Sequence, residues 1–507
     1  MKKYKYSIFL GLVLLVAVLL RFVDLGVNPP ALNQDEAVNG YDAFVLGKTL
    51  RDHHGNFLPI MLQSFDDWTS PVLTYVTIPF VKIFGLSIFS VRMVTALLGT
   101  ISIWLFYILL KRFFVNKNLA IIGAFLLAIS PWHITLSRWA VPPSIVSFFL
   151  FLFLDIFLWT EDKFKQDGKI WRYIIPGIIA GILTSTYPTQ KLFVPLFVFI
   201  LGIIYLRKNL KTLLIFWLSF AVIVSPIYIM SLINPVYNSR FGNVSVFSGQ
   251  NVLRNIVSRY AEYFLPDFHF GVGDIEVIHQ MPGMGNSYEF LMPFFYLGMV
   301  ICALGVFKKI AIKKVDKKIY QLLLAWLLLF PLAASLTKTH NMLLRVIHGL
   351  PLVIIFFIFC CNYFEKFIKK DLKIIFLTVI TLLGIFNVFN FAKTYYVWYP
   401  KLAFKEFQYG IKESFDYLKE NEDRFKKVVI DENINQAYIY YLFFSKLDPE
   451  ELNYSNPSKS SNKYIFGPLP DLKTTPIKTV SFGEEKMFGI YNEDDTTWYV
   501  KKMYQIK

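Results

Sequence analysis

Apolar runs of spanning length recur along the chain from residue 7 to about residue 391, separated by short polar loops. A helix needs about 20 predominantly apolar residues to cross roughly 30 Å of hydrocarbon. The pattern predicts about eleven spans, near 7–23, 91–110, 119–136, 144–159, 171–186, 192–206, 213–233, 288–307, 319–337, 346–364 and 374–391. Two large loops interrupt the spans, 24–90 and 234–287. In the first, Asn33 followed by Glu36 resembles a capping box, and Val38, Tyr41, Phe44 and Val45 recur at helical spacing, predicting a short amphipathic helix to about Leu50. Arg51 to Asn56 reads as a polar, solvated turn. Val72–Phe84 is apolar but short and holds Pro79, which predicts a helix lying in the membrane interface.

Past Tyr395 the period changes. Phe404, Phe407, Ile411, Phe415 and Leu418 fit one helix face, Val428 to Ile430 reads as a buried strand, and Gln436 to Lys446 as another helix. Strand-like runs follow near Lys463–Phe466 and Phe488–Tyr491. The expected architecture is a polytopic α-helical membrane domain, 1–395, followed by a small α/β domain, 396–507.

Composition agrees with the pattern. Of 507 residues 55% are hydrophobic and only 17% charged, and the mean hydropathy is +0.47. A soluble chain of this length would divide into domains with charged exteriors. The net charge of +16 raises the question of a polyanion. Its distribution argues against a nucleic-acid partner: Lys and Arg gather in short loops around Lys2, Lys111, Arg207, Lys313 and Lys369 that alternate with loops lacking them. That alternation is the positive-inside pattern. It puts the N-terminus inside, and the loops 24–90 and 234–287 and the segment 396–507 outside the cytoplasmic membrane. Cys302, Cys360 and Cys361 all fall inside apolar runs, with no metal-ligand spacing.

Under this topology the candidate chemistry falls on one face. Asp35, Glu36, Asp66 and Asp67 come from the first loop, Arg138 from one span end, Tyr187 and Lys191 from another, and His340 and Arg345 from a third. Ionisable clusters at a membrane edge point to function. Carboxylates and cations together suit an anionic lipid-linked substrate, the cations neutralising a phosphate and a carboxylate taking a proton from a hydroxyl. Structural readings stand beside these. Glu36 completes a capping box, Asp66 and Asp67 solvate or cap a loop, and Arg138, Arg345 and Lys191 snorkel to headgroups.

Several stretches resemble the bacterial family 39-type glycosyltransferases of the GT-C fold, relatives of protein O-mannosyltransferases and of the lipid A aminoarabinose transferase. Asn33-Gln34-Asp35-Glu36-Ala37 resembles their first-loop Asp-Glu motif, and Asp66-Asp67-Trp68-Thr69-Ser70-Pro71 the second motif of that loop. Phe89-Ser90-Val91-Arg92-Met93 is similar to the entry to the second span, Ile129-Ser130-Pro131-Trp132-His133 with Ser137-Arg138 to the third-span exit, and Thr339 to Arg345 to a late His-x-x-x-Arg stretch. The resemblance implies inverting transfer from a polyprenyl-phosphate sugar to a glycan, lipid or protein hydroxyl, with Asp35 as general base, Glu36 beside it and no required cofactor or metal. It also implies that Asp66, Asp67, Arg138, Tyr187, Lys191, His340 and Arg345 serve donor phosphate and substrate. The second motif lacks the family's Lys, and Val141-Pro142-Pro143 stands where relatives often carry an acid, so phosphate binding falls to Arg138, Lys191 or Arg345. A divalent ion held by Asp35 with Asp66 or Asp67 is the competing account. The alternative function is a transporter or flippase for lipid-linked glycans; it calls for ionisable residues at span centres and repeated halves, and here Asp155 is the clearest such residue and no halves repeat.

Overall fold

The computed structural model describes residues 5–502 except 66, 115, 239–241, 243, 272–273, 275, 282, 309, 311, 313–314, 366, 368, 425, 470–477, 483–487 and 493–496. Two compact units emerge. One comprises Met1–Val23, Thr95–Arg138 and Pro142–Val397, and the other Asp24–Val94, Trp139–Val141 and Trp398–Lys507.

The first unit is helical, and the chain is a multi-pass membrane protein. Across the described residues seven helices are long and apolar enough to span a membrane, beginning with α1 (Lys5–Phe22). An eighth arises if Lys117–Ala128 and Pro131–Ser137, bent by 58°, form one broken span. The apolar helices Ile170–Thr184, Gln190–Tyr205 and Pro351–Phe364 are shorter and coincide with the remaining predicted spans. Small residues bring helices together here. A Cβ on Gly177 would meet the Phe216 carbonyl, and one on Gly181 would strike the Ile223 side chain, so this Gly-x-x-x-Gly face lets Ile174–Thr184 lie against Leu210–Ile233. Apolar residues such as Leu218, Val222 and Ile233 face outward, a surface suited to lipid.

The second unit joins the first loop to the C-terminal segment around one hydrophobic core. It contains α2 (Gln34–Thr49), the hairpin β1 (Leu62–Ser64) and β2 (Asp67–Thr69), α3 (Val72–Phe84), and the start of α4 (Ile88–Phe114). The C-terminal part has helices Ile411–Glu420 and Ala437–Ser445 and a five-stranded sheet. The strands are β3 (Lys427–Asp431), β4 (Tyr464–Gly467), β5 (Lys478–Phe482), β6 (Phe488–Asn492) and β7 (Thr497–Lys502), in spatial order 4-3-7-6-5. β3 is parallel to β4 and β7, while β6 is antiparallel to β5 and β7. Tyr41, Val45 and Val91 share the core with Ile411, Ile430, Tyr440 and Phe443. Thus the compact unit is larger than the segment 396–507 alone.

Three sequence expectations are corrected here. The helix from Asn33 is present but is not amphipathic: Asn39, Gly40 and Asp42 are buried along with Ala37, Val38 and Tyr41. Helices α3 and Ala437–Ser445 pack on α2, and the polar side chains it hides find partners. Thr74 donates to Asn39 Oδ1 at 2.8 Å, and the Tyr41 hydroxyl donates to the Leu447 carbonyl at 3.0 Å. The turn at Arg51–Asn56 is not solvated throughout, because His53 is fully buried. The helix expected from Phe404 starts only at Ile411, since Gly410 at φ +97° breaks the run.

Candidate active site

The site is built on the N-terminus of α2. Asn33 is the N-cap: its side-chain oxygen accepts from the Asp35 amide at 2.9 Å, and its own amide donates to Glu36 Oε2 at 3.2 Å. This reciprocal capping box satisfies amides that the first turn leaves without intrahelical partners. It also sends the two adjacent carboxylates in different directions. Asp35 is exposed, whereas Glu36 is wholly buried.

Glu36 is held from several sides. Arg92 donates from Nε to Oε1 and from Nη2 to Oε2, both at 2.8 Å, and the Ala140 amide donates to Oε1 at 3.0 Å. Arg92 is itself fully buried, and its remaining donors go to the carbonyls of Pro29 at 2.8 Å, Ala31 at 2.5 Å and Leu25 at 3.4 Å. A bidentate guanidinium–carboxylate pair of this kind fixes orientation as well as charge. One buried cluster therefore ties the chain leading into α2, α2 itself, the start of α4 and Trp139–Val141. Asp35 is presented from its edge. Tyr440 lies close enough for both carboxylates to act on it; burial first, then Asp35 and Glu36, push its hydroxyl well above the ordinary tyrosine range.

The hairpin places Asp67 opposite Ser64, half-buried, with its Oδ1 accepting from the Trp68 amide at 2.8 Å. Asp66 lies outside the described residues. Further along α2, Asp42 Oδ1 accepts at 2.9 Å from the amide of His53, in the turn that follows, and pairs with His53 Nδ1 at 2.7 Å. Burial pulls His53 down, but the neighbouring Asp42 and Asp52 carboxylates outweigh it and its pKa is raised. Burial and the adjacent His53 hold His54 down to about 4.

The expected cations lie in the other unit. Arg138 is fully buried, donating to the Tyr395 hydroxyl at 3.1 Å and the Leu20 carbonyl at 3.1 Å, with the Tyr395 and Tyr396 rings beneath its guanidinium. Arg345 is half-buried and donates to the Thr337 and Thr339 hydroxyls, while Arg259 donates to the Thr337 carbonyl at 2.6 Å. His340 is exposed and pairs with Glu262 at 2.9 Å. Tyr187 and Lys191 are half-buried at the entry to Gln190–Tyr205. Among the described residues no three His, Cys, Asp or Glu side chains are grouped closely enough to hold a metal ion.

Residues 69–232 match the model of the dolichyl-phosphate-mannose-protein mannosyltransferase family. The crystal structure of the Archaeoglobus fulgidus oligosaccharyltransferase in the apo form is similar with a TM-score of 0.53 at 13% identity, over 89% of this chain and 65% of that one. The chain has the GT-C fold. The archaeal oligosaccharyltransferase AglB from the same organism, in complex with an inhibitory peptide and a dolichol-phosphate, gives a TM-score of 0.52 at 15% identity, over 94% of this chain and 62% of that one. An uncharacterized protein of Aquifex aeolicus (strain VF5) is 30% identical over 176 residues, 34% of each chain. This GT-C chain thus spans less than two thirds of the length of these relatives.

Arg92 stands in the sequence within the stretch Phe89–Met93, which by itself gives it no role. The signal was a lone arginine a turn inside an apolar run, where an unpaired charge is too costly to keep. Arg21 gives the same signal: buried in α1, it bonds His133 Nδ1 at 2.8 Å and the Ala128 carbonyl at 3.0 Å.

Proposed function

We propose that this GT-C chain is a glycosyltransferase of the outer face of the cytoplasmic membrane, with about eleven spans, its N-terminus inside and its C-terminal segment outside. It transfers a sugar from a polyprenyl-phosphate donor to an acceptor hydroxyl with inversion. The observation that carries the reading is the division of the Asp35–Glu36 pair, one carboxylate exposed and the other locked by Arg92 and two backbone amides. A general base must reach a hydroxyl on a rigid support. Asp35 has that support, and the first turn of a helix favours negative charge. In the step proposed, Asp35 takes the proton of the acceptor hydroxyl as that oxygen bonds the anomeric carbon. The bond from that carbon to the phosphate oxygen breaks, and its electron pair leaves with the lipid phosphate.

Glu36 and Arg92 are positioning residues in this scheme. For the phosphate, Arg138, Lys191 and Arg345 are the cations offered. The test is turnover of purified protein with a polyprenyl-phosphate sugar, comparing wild type with Asp35→Asn. Base catalysis contributes about 10²–10⁴-fold, and a loss of that order with donor affinity retained is expected. Wild-type turnover in Asp35→Asn removes Asp35 from the mechanism, and full loss in chelator restored by Mg²⁺ or Mn²⁺ favours the metal account.

A further inference from the structure

The second unit holds a groove of about 530 Å³, inside the usual range of roughly 300–1,000 Å³ for small-molecule sites. Three segments far apart in sequence build it. The turn after α2 supplies His54 and Asn56, and the hairpin supplies Gln63 and Phe65. The C-terminal part adds Gln436 and Tyr438 at the head of Ala437–Ser445, then Tyr454 and the stretch 455–458. The sequence marks His54 and Asn56 only as part of a polar turn and Gln436 only as the head of a helix.

The lining has a definite chemistry. Asn56, Gln63, Gln436 and Asn456 each carry an amide that both donates and accepts, and Ser455 and Ser458 add hydroxyls that do the same. Three aromatic rings stand among them, Phe65 meeting Tyr438 edge-on with centroids 6.2 Å apart. Among the described residues that line it, none is a Lys, Arg, Asp or Glu. His54, held down to about 4, is neutral at physiological pH, and its buried Nε2 has no hydrogen-bond partner among the described residues.

The backbone is shaped for this arrangement. Phe65 and Gln436 both adopt left-handed φ of +56°, which costs a side-chain-bearing residue energy and persists where the surroundings enforce it. Gly55, at φ +86°, passes so close that a Cβ would lie 3.2 Å from that of Tyr454. The Asp52 carboxylate braces the turn, accepting from the His54 amide at 3.0 Å, the Asn56 amide at 2.8 Å and the Asn56 side chain at 2.9 Å.

We infer that this groove binds a neutral saccharide, the glycan part of the acceptor. Sugar hydroxyls donate and accept at once, as the amides do, and the C–H face of a pyranose packs on an aromatic ring. A phosphate or an anionic peptide would find no cation among these described lining residues, and an acyl chain would find mostly polar walls. Side chains alternate along the hairpin, so Gln63 and Asp67, the latter opposite Ser64, point to opposite faces of the ribbon. The ribbon that carries the second acidic motif thereby also carries groove residues. This inference rests on the transferase reading only for calling the saccharide the acceptor.

The test titrates full-length protein in detergent micelles with mannotriose and chitotriose, followed by saturation-transfer NMR. Mannose 6-phosphate and an uncharged hexapeptide are the comparison ligands. At least one trisaccharide is expected to bind with a Kd of about 1 mM or tighter. Gln63→Ala and Tyr454→Ala are each expected to weaken it by about 10-fold. Gln63→Ala, on a short half-buried strand, guards against misfolding at Tyr454. No binding of either trisaccharide, equal binding in both groove variants, or preference for the peptide or the phosphorylated sugar overturns the inference. Saccharide binding without sugar transfer would leave the groove standing and remove the transferase reading; transfer without saccharide binding would do the reverse.

Discussion

Replacing Arg92 by Met should be among the most damaging single changes in the second unit. The side chain keeps much of its length but loses the guanidinium, so Glu36 retains only the Asn33 and Ala140 amides inside a fully buried pocket. The carbonyls of Pro29, Ala31 and Leu25 lose their donor at the same time. Removing one partner of a buried ion pair typically costs about 3–5 kcal/mol, because the other charge is left uncompensated. For a unit of roughly 150–250 residues each kcal/mol moves Tm by about 2–4 °C, so the drop should be about 6–20 °C. Glu36→Gln strands the buried Arg92 guanidinium in turn, with only one amide oxygen left to accept from it, and should destabilise as well.

The informative species is Glu36→Gln with Arg92→Met, in which the unpaired carboxylate is gone. Its destabilisation should fall short of the sum of the singles by about 2 kcal/mol, within the range seen for directly coupled residues. Thermal unfolding in one detergent at one scan rate is the assay, since membrane proteins of this size unfold irreversibly and Tm then depends on rate. A shift under about 2 °C for Arg92→Met, or strict additivity in the double variant, would show that the pair does not hold the site together.

Two further outcomes follow from named groups. The Asp42–His53 pair raises the His53 pKa, so its stabilising contribution is complete below the unfolded value of 6.5 and is lost as pH rises through the folded value. Wild-type Tm should therefore decline above about pH 6.5, and His53→Gln should flatten that decline; an unchanged slope in the variant would dissociate the pair from it. For topology, single cysteines at Asp35 and Asn251 should label from outside and cysteines at Lys111 and Arg207 should not. Protection at Asn251 with labelling at Arg207 would invert the proposed orientation.

Much of the helical unit was legible because a spanning helix writes itself as a continuous apolar run, and lipid leaves the backbone few other solutions. The capping box was legible for a similar reason: Asn33 and Glu36 stand at the spacing that closes one turn. What could not be read was pairing over long separations. Nothing local tells Glu36 that Arg92 and Ala140 will enclose it, or Asp42 that His53 will fold back on it. The C-terminal sheet shows the same limit. β3, β4 and β6 were visible as apolar runs, but β7 lies between β3 and β6, and its run Thr497–Lys502 mixes aromatic, polar and basic residues. Burial of Asn39 and Asp42 was likewise invisible, because the groups that take their side chains, Thr74 and His53, stand 35 and 11 residues further along and only the fold brings them back.

The two adjacent carboxylates show why a motif needs its geometry before its members can be given roles. Successive helical residues project about 100° apart, so side chains next to each other in sequence point in different directions. At the third position of α2 a glutamate reaches back to the cap amide, and this geometry turns Glu36 inward to Arg92. The residue one position earlier is turned away, and Asp35 is the exposed one. The capping box does more than start the helix. By consuming Glu36 it decides which of the two acids remains accessible, and the ion pair with Arg92 then makes that choice expensive to reverse. A lengthened side chain at position 35 keeps the charge while moving it by a methylene, and misplacing a reacting group by about 1 Å can cost 10²-fold in rate. The short side chain of Asp35 thus suits a base whose position is set by the buried acid beside it.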